Sequence, residues 1–170
     1  MKEYSYFPPC NNPKVPAPSA PLRYCTEVQT RFVDFDIFGH LNNTVYMALL
    51  DMGKVGYYRD VLHHDFDFGQ TTAVIVNINL SFASPAYMGE PLAVFTACIH
   101  VSRHSFTLEQ RIINTLTGDV KCYARTVMAC FDARTATGAE VPQEWIKSAA
   151  DFEKWPETPN FAEETPSQQK

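Results

Sequence analysis

The sequence predicts an α+β fold in which one long central helix is wrapped by a curled antiparallel sheet of about five strands. Alternation of apolar and polar residues, the pattern of β-strands, dominates the middle of the chain. The connections between these segments are short, as in an antiparallel meander. One segment, 43–62, has helical spacing instead and is apolar over most of its circumference. Such a helix must be buried on several sides, and a curled sheet would cover it.

The chain of 170 residues is long enough for one hydrophobic core, and 45 % of its residues are hydrophobic and 19 % charged, as in ordinary globular domains. Residues 1–22 are rich in proline, which removes backbone donors and prevents a regular helix or central strand. Residues 156–170 are polar and acidic and have the composition of a mobile tail. We therefore predict an N-terminal arm over 1–22, one domain over 23–155 and a C-terminal tail over 156–170.

Charge and cysteine content exclude several classes of function. A formal net charge of -5 argues against general binding to nucleic acid or to an anionic membrane, both of which need a basic surface. The five cysteines are odd in number and show no CxxC spacing, so we interpret them as reduced thiols. The chain shows no signal-like segment at its start and no apolar run long enough to span a bilayer, and its expected location is the cytoplasm.

The strand candidates are separated by Ser84-Pro85, by Gly89 and by the turn at 117–119. In the second of them, alternate residues from Val74 to Phe82 are apolar and are expected to face the core. The five candidates in chain order are Tyr24–Val33, Thr72–Phe82, Leu92–Ser102, Phe106–Thr115 and Val120–Phe131.

The long helix is predicted over Asn43–Leu62 from an apolar stripe at helical spacing, formed by Val45, Leu49, Met52, Val55 and Leu62. Gly53 and Gly56 each cost about 1 kcal/mol relative to alanine inside a helix. We expect close approach of another backbone to compensate for this cost. A short last helix is predicted after Pro142, with an apolar stripe of Trp145, Ile146, Ala149 and Phe152.

The loop between the first strand and the long helix contains the residues whose side chains are suited to catalysis. Asp34 and Asp36 share a face in extended chain, Gly39 permits a tight turn, and Asn42 or Asn43 is suited to cap the helix. A carboxylate just before a helix N-terminus could attack a thioester carbonyl or activate water, while free backbone N–H groups bind the developing oxyanion. On residue chemistry alone, the favoured interpretation is that these residues only close a turn and cap a helix, as they do in most proteins.

This segment, RFVDFDIFGHLNNTVYMALLDMGKVGYYRD, resembles the signature of the 4-hydroxybenzoyl-CoA thioesterase branch of the hot-dog superfamily. That pattern has an aspartate, two variable residues, a glycine and then a helix tyrosine, which Asp36, Gly39 and Tyr46 match. The GHLNN run is also similar to acyl-ACP and acyl-CoA thioesterases. The likeness continues through INLSFASPAYMGEPLAVFTACIHVSRHSFTLEQRI and covers about 23–145. It implies a hot-dog fold and hydrolysis of an acyl-CoA or acyl carrier thioester.

The resemblance also implies roles for individual residues. Asp36 is the expected nucleophile or general base, and the backbone N–H near Asn43 is expected to polarise the thioester carbonyl. His40 and Asn43 would line the site, although some relatives have a histidine at the position of Asn43. Gly39 and Tyr46 are expected on the substrate side. In the turn 102–105, Arg103 and Ser105 are the expected contacts of the coenzyme A phosphates, with a solvated hairpin tip as the equally weighted alternative.

The expected assembly is a homodimer or a dimer of dimers, because hot-dog subunits generally join their sheets and form sites across the interface. We expect neither a cofactor nor a metal, since the adjacent His63 and His64 would point in different directions. A hot-dog hydratase or dehydratase is one alternative, and it is disfavoured because the helix offers only Asp51 as an acidic residue before its last turn. A non-catalytic acyl-binding module is the other, and the presence of Asp36 counts against it.

Overall fold

The computed structural model describes residues 10, 12–64 and 71–161. Six strands form one antiparallel sheet, in which five follow the order β1-β3-β4-β5-β2 and the two-residue β6 pairs with β5. The elements in chain order are β1 (Tyr24–Val28), α1 (Asn43–Asp60), β2 (Thr71–Phe82), β3 (Leu92–Val101), β4 (Ser105–Asn114), β5 (Val120–Asp132), β6 (Thr137–Gly138) and α2 (Gln143–Glu153). The predicted α+β architecture is confirmed. Neither helix is long and apolar enough to cross a membrane, over the residues described.

The inner face of the sheet packs against α1 and forms two apolar clusters along it. One cluster, near the start of α1, includes Leu41, Tyr46 and Leu92. The other, near the end of α1, includes Leu62, Val101 and Phe106 and takes in α2 through Trp145. The two clusters therefore mark the two ends of the helix.

The first strand is shorter than predicted. It ends at Val28 rather than Val33, and residues Phe32–Asp34 form a single 3-10 turn. The Asp34 carboxylate accepts a hydrogen bond from the Arg31 backbone N–H at 2.7 Å. Such local bonds from side chain to backbone compete with strand pairing, which explains why the strand pattern fails here.

The predicted core face of β2 is wrong in the first half of the strand and correct in the second half. Val74 and Val76 are exposed, whereas Ile78 and Leu80 pack against the cluster near the start of α1. The pairing register with β5 shifts between Ile75 and Asn77. Because this β-bulge adds one residue, the side chains before and after it alternate out of phase. Strand β2 also lies at the edge of the sheet, so one of its sides has no strand partner in the described chain.

The buried face of α1 also differs from the predicted stripe. Met52 and Val55 are exposed, whereas the face against the sheet consists of Tyr46, Leu49, Leu50, Gly53, Gly56, Tyr57 and Tyr58. The glycines permit close approach, but of sheet side chains rather than of a backbone. A Cβ on Gly53 would lie 2.9 Å from Val94 Cβ, and one on Gly56 would lie 2.5 Å from Tyr24 Oη. A helix face defined by apolar side chains alone misses such contacts.

The described part of the proline-rich arm has neither helix nor strand and packs on the outer face of the sheet, opposite α1. Val15 is buried there against Ala93 and Phe95 of β3. At the other end, Gln143 Nε2 donates to the Pro159 carbonyl at 3.2 Å, so the first residues of the predicted tail contact α2. The predictions for 1–9 and 11 in the arm and for 162–170 in the tail lie outside the described residues.

All five cysteines are free thiols. Cys98, Cys122 and Cys130 are buried in the sheet, and burial raises the pKa of both Cys122 and Cys130 to about 12. At neutral pH these two side chains are therefore neutral, apolar components of the core.

A buried carboxylate fastens the end of α2 to the sheet and to α1. Glu153 Oε1 accepts hydrogen bonds from Tyr57 Oη at 2.7 Å and from the Cys98 backbone N–H at 3.0 Å. Its other oxygen, Oε2, is buried and has no hydrogen-bond partner among the described residues. Burial raises the pKa of Glu153 to about 7, against the opposing hydrogen bonds.

This raised pKa makes stability depend on pH. Between the ordinary Glu pKa of 4.5 and about 7, the folded protein holds a proton that the unfolded chain releases. The free energy of unfolding is therefore expected to fall as the pH rises through this range, by on the order of 3 kcal/mol. Glu153→Gln should remove this pH dependence of the free energy of unfolding, as measured by urea unfolding across the same pH range. Equal slopes for the two proteins would contradict the prediction.

Candidate active site

Asp36 closes a tight turn with one of its two carboxylate oxygens. Its Oδ1 accepts the backbone N–H groups of Phe38 at 2.8 Å and His40 at 3.1 Å. Gly39, with φ at +74°, completes the turn by donating its N–H to the Asp36 carbonyl at 3.0 Å. Asp36 is exposed, and its Oδ2 makes no hydrogen bond within the described chain. The carboxylate is thus held in place while one oxygen stays available.

Asp34 has a different environment from Asp36, although the two are one residue apart. Asp34 is buried and forms an ion pair with Arg31, whose Nη2 lies 2.9 Å from Oδ1. Hydrogen bonds from the Arg31 side chain and backbone lower the pKa of Asp34. The Asp34 carbonyl also accepts the Asn42 N–H at 2.8 Å. Asp34 therefore anchors the loop that carries Asp36.

Asn42, one of the two predicted candidates, caps α1. Its side-chain oxygen accepts the Thr44 N–H at 3.0 Å, and its carbonyl accepts the Val45 N–H at 2.9 Å. Asn43 is the first helical residue and is exposed, and its backbone N–H has no acceptor in the described part of the chain. A free N–H at the positive end of a helix is suited to an oxygen that gains negative charge.

The segment 84–90 packs against the loop 36–43 and holds it in place. Leu41 N–H donates to the Ala86 carbonyl at 2.8 Å, and Ala86 N–H donates to Tyr46 Oη at 3.2 Å. The His40 ring packs edge-on against Tyr87, with 5.2 Å between centroids. His40 is half-buried beside the Asp36 turn, whereas Tyr46, predicted on the substrate side, is buried and uses its hydroxyl to hold Ala86.

A buried lysine fixes the segment 84–90, and it was not anticipated from the sequence. Lys121 on β5 is 4 % exposed. Its Nζ lies 2.9 Å from the Pro85 carbonyl, 2.9 Å from Glu90 and 3.0 Å from Asp119. A lysine in a strand of alternating pattern is expected to face solvent. The only sequence signal for this network is the proline and the acidic residues in the neighbouring turns.

The predicted coenzyme A contacts lie far from Asp36 in a single chain. Arg103 and Ser105 belong to the β3–β4 turn, beside the cluster near the end of α1. Asp36 lies at the start of this helix, which is 18 residues and so about 27 Å long. Arg103 Nε donates to Glu140 at 2.8 Å, and Ser105 Oγ lies 2.7 Å from Ser102 Oγ. One subunit thus brings together Asp36, Gly39, His40 and Asn43 but not the turn residues.

The adjacent histidines after α1 occupy different environments. His63 is exposed, whereas His64 is buried with its ring centroid 4.7 Å from that of Trp145. No group of three or more histidine, cysteine, aspartate or glutamate side chains is arranged to hold a metal ion in the residues described.

Comparison with known proteins identifies the family. The sequence profile of the thioesterase-like superfamily matches residues 30–152, more than half of the chain. The long-chain acyl-CoA thioesterase FadM of Escherichia coli K12 is 27 % identical over 115 residues, which are 65 % of this chain and 84 % of FadM.

Solved structures share the fold at low identity. A protein from Pseudomonas aeruginosa PAO1 has a TM-score of 0.70 at 20 % identity, covering 76 % of this chain and 90 % of that one. A Thermus thermophilus thioesterase solved with coenzyme A and Zn has a TM-score of 0.67 at 19 % identity, covering 78 % and 95 %. The hot-dog architecture and the predicted thioesterase relationship are confirmed, and the chain belongs to the thioesterase-like superfamily.

Proposed function

We propose that this protein hydrolyses acyl-CoA thioesters to a free acid and coenzyme A at the loop 36–43, with Asp36 as nucleophile or general base. The observation that carries the proposal is the state of the Asp36 carboxylate: Oδ1 is fixed by two backbone N–H groups and Oδ2 is free. The free Asn43 N–H at the start of α1 serves as the oxyanion donor. FadM, an acyl-CoA thioesterase, and the Thermus complex with coenzyme A support acyl-CoA as the substrate class.

The reaction then follows from these groups. The Asn43 N–H polarises the thioester carbonyl, so that negative charge on its oxygen is stabilised as the carbon is attacked. Asp36 Oδ2 either attacks this carbon itself or removes a proton from the attacking water. In both cases the tetrahedral intermediate collapses with cleavage of the C–S bond and release of the coenzyme A thiolate, which is then protonated. Attack by Asp36 leaves an anhydride that water opens to the free acid, and attack by water gives the free acid directly. His40 borders the turn and is the second candidate for proton transfer. Gly39 leaves the approach to the turn open, because no atom lies within 4 Å of a Cβ built on it.

A homodimer would complete the site, which one subunit leaves divided between the two ends of α1. Strand β2 is a long edge strand with exposed Val74, Val76 and Phe82, and such an edge favours pairing with another strand. Antiparallel pairing of two β2 edges about a twofold axis reverses the second copy end for end. The β3–β4 turn with Arg103 and Ser105 of that copy then lies at the same end as Asp36 of the first. A dimer of dimers would preserve this arrangement.

The edge pairing predicts the effect of a charge placed on β2. Val76→Lys is expected to convert the dimer to a monomer, because a lysine on an edge strand opposes pairing with a second edge. Thioester hydrolysis should fall with the loss of the dimer. Sedimentation equilibrium measures the mass, and Leu116→Lys in the β4–β5 turn is the control, since Leu116 is exposed away from β2. A monomeric wild type, or a dimeric Val76→Lys variant, would contradict the pairing.

Thiol release from acetyl-, palmitoyl- and benzoyl-CoA tests the proposed function and names the preferred acyl class. Release of coenzyme A from a saturated acyl-CoA excludes a pure hydratase, which would instead consume the double bond of crotonyl-CoA without releasing thiol. Tight binding of acyl-CoA without turnover would indicate an acyl-binding module. No release from any of the three by a folded protein would refute the acyl-CoA proposal, and acyl carrier thioesters would be tried next.

A further inference from the structure

A charged cleft lies on the outer face of the sheet, on the side opposite α1. Strand register brings its residues together: Glu109 on β4 pairs with Arg125 on β5, which pairs with Asn79 on β2. Arg111 on β4 pairs with Tyr123 on β5, one step along the same face. The intervening residue Gln110 points the other way and donates to the Leu50 carbonyl of α1 at 2.8 Å.

The proline-rich arm forms the second wall of this cleft. The Pro16 carbonyl accepts a hydrogen bond from Arg111 Nη2 at 2.8 Å, and Ser19 N–H donates to Glu109 Oε2 at 3.2 Å. Ser19 Oγ accepts a bond from Arg125 Nη2 at 2.5 Å. Between arm and sheet remains a cleft of about 340 Å³, whose lining includes Pro16, Asn79, Glu109, Arg111, Tyr123 and Arg125.

The charges of this cleft favour an anion. Two guanidinium groups face one carboxylate, since Glu109 lies 3.1 Å from Arg111 Nη2 and 3.6 Å from Arg125 Nε. The Arg111 side chain is 5 % exposed, and its Nε is buried without a hydrogen-bond acceptor in the described part of the chain. Glu109 neutralises only one of the two guanidinium groups, so the cleft keeps a net positive charge that favours a bound anion.

We propose that this cleft binds a small organic anion, a carboxylate or a phosphate monoester, through Arg111 and Arg125. Guanidinium groups match both anions because their N–H donors form a planar fork. The volume lies at the lower end of the range for small-molecule sites, about 300 to 1,000 Å³. The body of the ligand packs against Pro16 and Tyr123, so binding fastens the arm to the sheet. The cleft is separated from the loop 36–43 by the sheet and is independent of the proposed hydrolysis.

Isothermal titration of the full chain with acetate, benzoate, glycerol 3-phosphate and inorganic phosphate tests the site. Saturable binding of at least one organic anion is expected, with an affinity reduced tenfold or more by Arg125→Gln. Arg134→Gln is the matched control, because Arg134 is a similarly exposed arginine in an ion pair at the β5–β6 turn. Thiol release by Arg125→Gln should match wild type. The titration therefore tests anion binding independently of the proposed hydrolysis.

Two further measurements distinguish a site from a general charge effect. The ligand should slow tryptic cleavage after Lys14 in the arm, because Val15 and Pro16 follow this bond and pack on the sheet. The double variant Glu109→Gln/Arg111→Gln removes the buried pair together and should abolish binding while leaving the protein folded. Three outcomes would overturn the proposal: binding of inorganic phosphate alone, no saturable binding, or an equal loss of affinity in Arg125→Gln and Arg134→Gln.

Discussion

Asp36→Asn is expected to lower kcat for thioester hydrolysis by about a thousandfold while leaving stability near that of the wild type. The amide oxygen can still accept the N–H groups of Phe38 and His40, so the turn is retained. The amide is neither a nucleophile nor a base, so it cannot replace Asp36 Oδ2 in the reaction. Steady-state thiol release with thermal unfolding measures both effects.

Asp51→Asn is the matched control for this substitution. Asp51 is an exposed carboxylate on α1 that pairs with Lys54 at 2.6 Å, outside the loop 36–43. The activity of Asp51→Asn should stay within about twofold of wild type, since an ion pair between neighbouring turns of one helix contributes little. An Asp36→Asn variant with substantial kcat would show that Asp36 only closes the turn, and His40 would become the next candidate for the base.

Lys121→Met is expected to reduce both stability and activity. The methionine keeps most of the apolar stem but leaves Glu90, Asp119 and the Pro85 carbonyl without their cation. The predicted loss in the free energy of unfolding is about 3 kcal/mol, at the lower end for a broken buried pair because Asp119 and Glu90 are partly exposed. The Ala86 contacts with Leu41 and Tyr46 should loosen, which lowers kcat/KM.

Lys54→Met separates this effect from the general loss of a lysine. Lys54 is half-buried and pairs with the exposed Asp51 three residues before it, and such a pair within one helix contributes only about 0.2 to 0.5 kcal/mol. Urea unfolding and thiol release of the two variants give the comparison. Similar small losses of stability and activity in both variants would mean that the Lys121 network does not position the loop 36–43.

The candidate loop could be found from the sequence because its signals are local. Asp36, Gly39 and Asn42 lie within seven residues, and a turn followed by a helix cap depends only on near neighbours. Lys121 could not be found in this way, since it lies 31 residues from Glu90 and reaches the loop only through the sheet. The separation of Arg103 from Asp36 likewise depends on how the β3–β4 turn packs near the end of α1.

The sequence by itself determined the order of strands and helices, the start of α1 and the need for close packing at Gly53 and Gly56, because spacing and turn chemistry act over a few residues. Only the tertiary structure decided which face of α1 is buried and where β2 shifts its register. Met52 and Val55 are as apolar as the residues that pack, but contact with the sheet requires close approach, which the glycine side of α1 permits. Burial is a relation between distant segments, and a local pattern cannot determine which partner a face will meet.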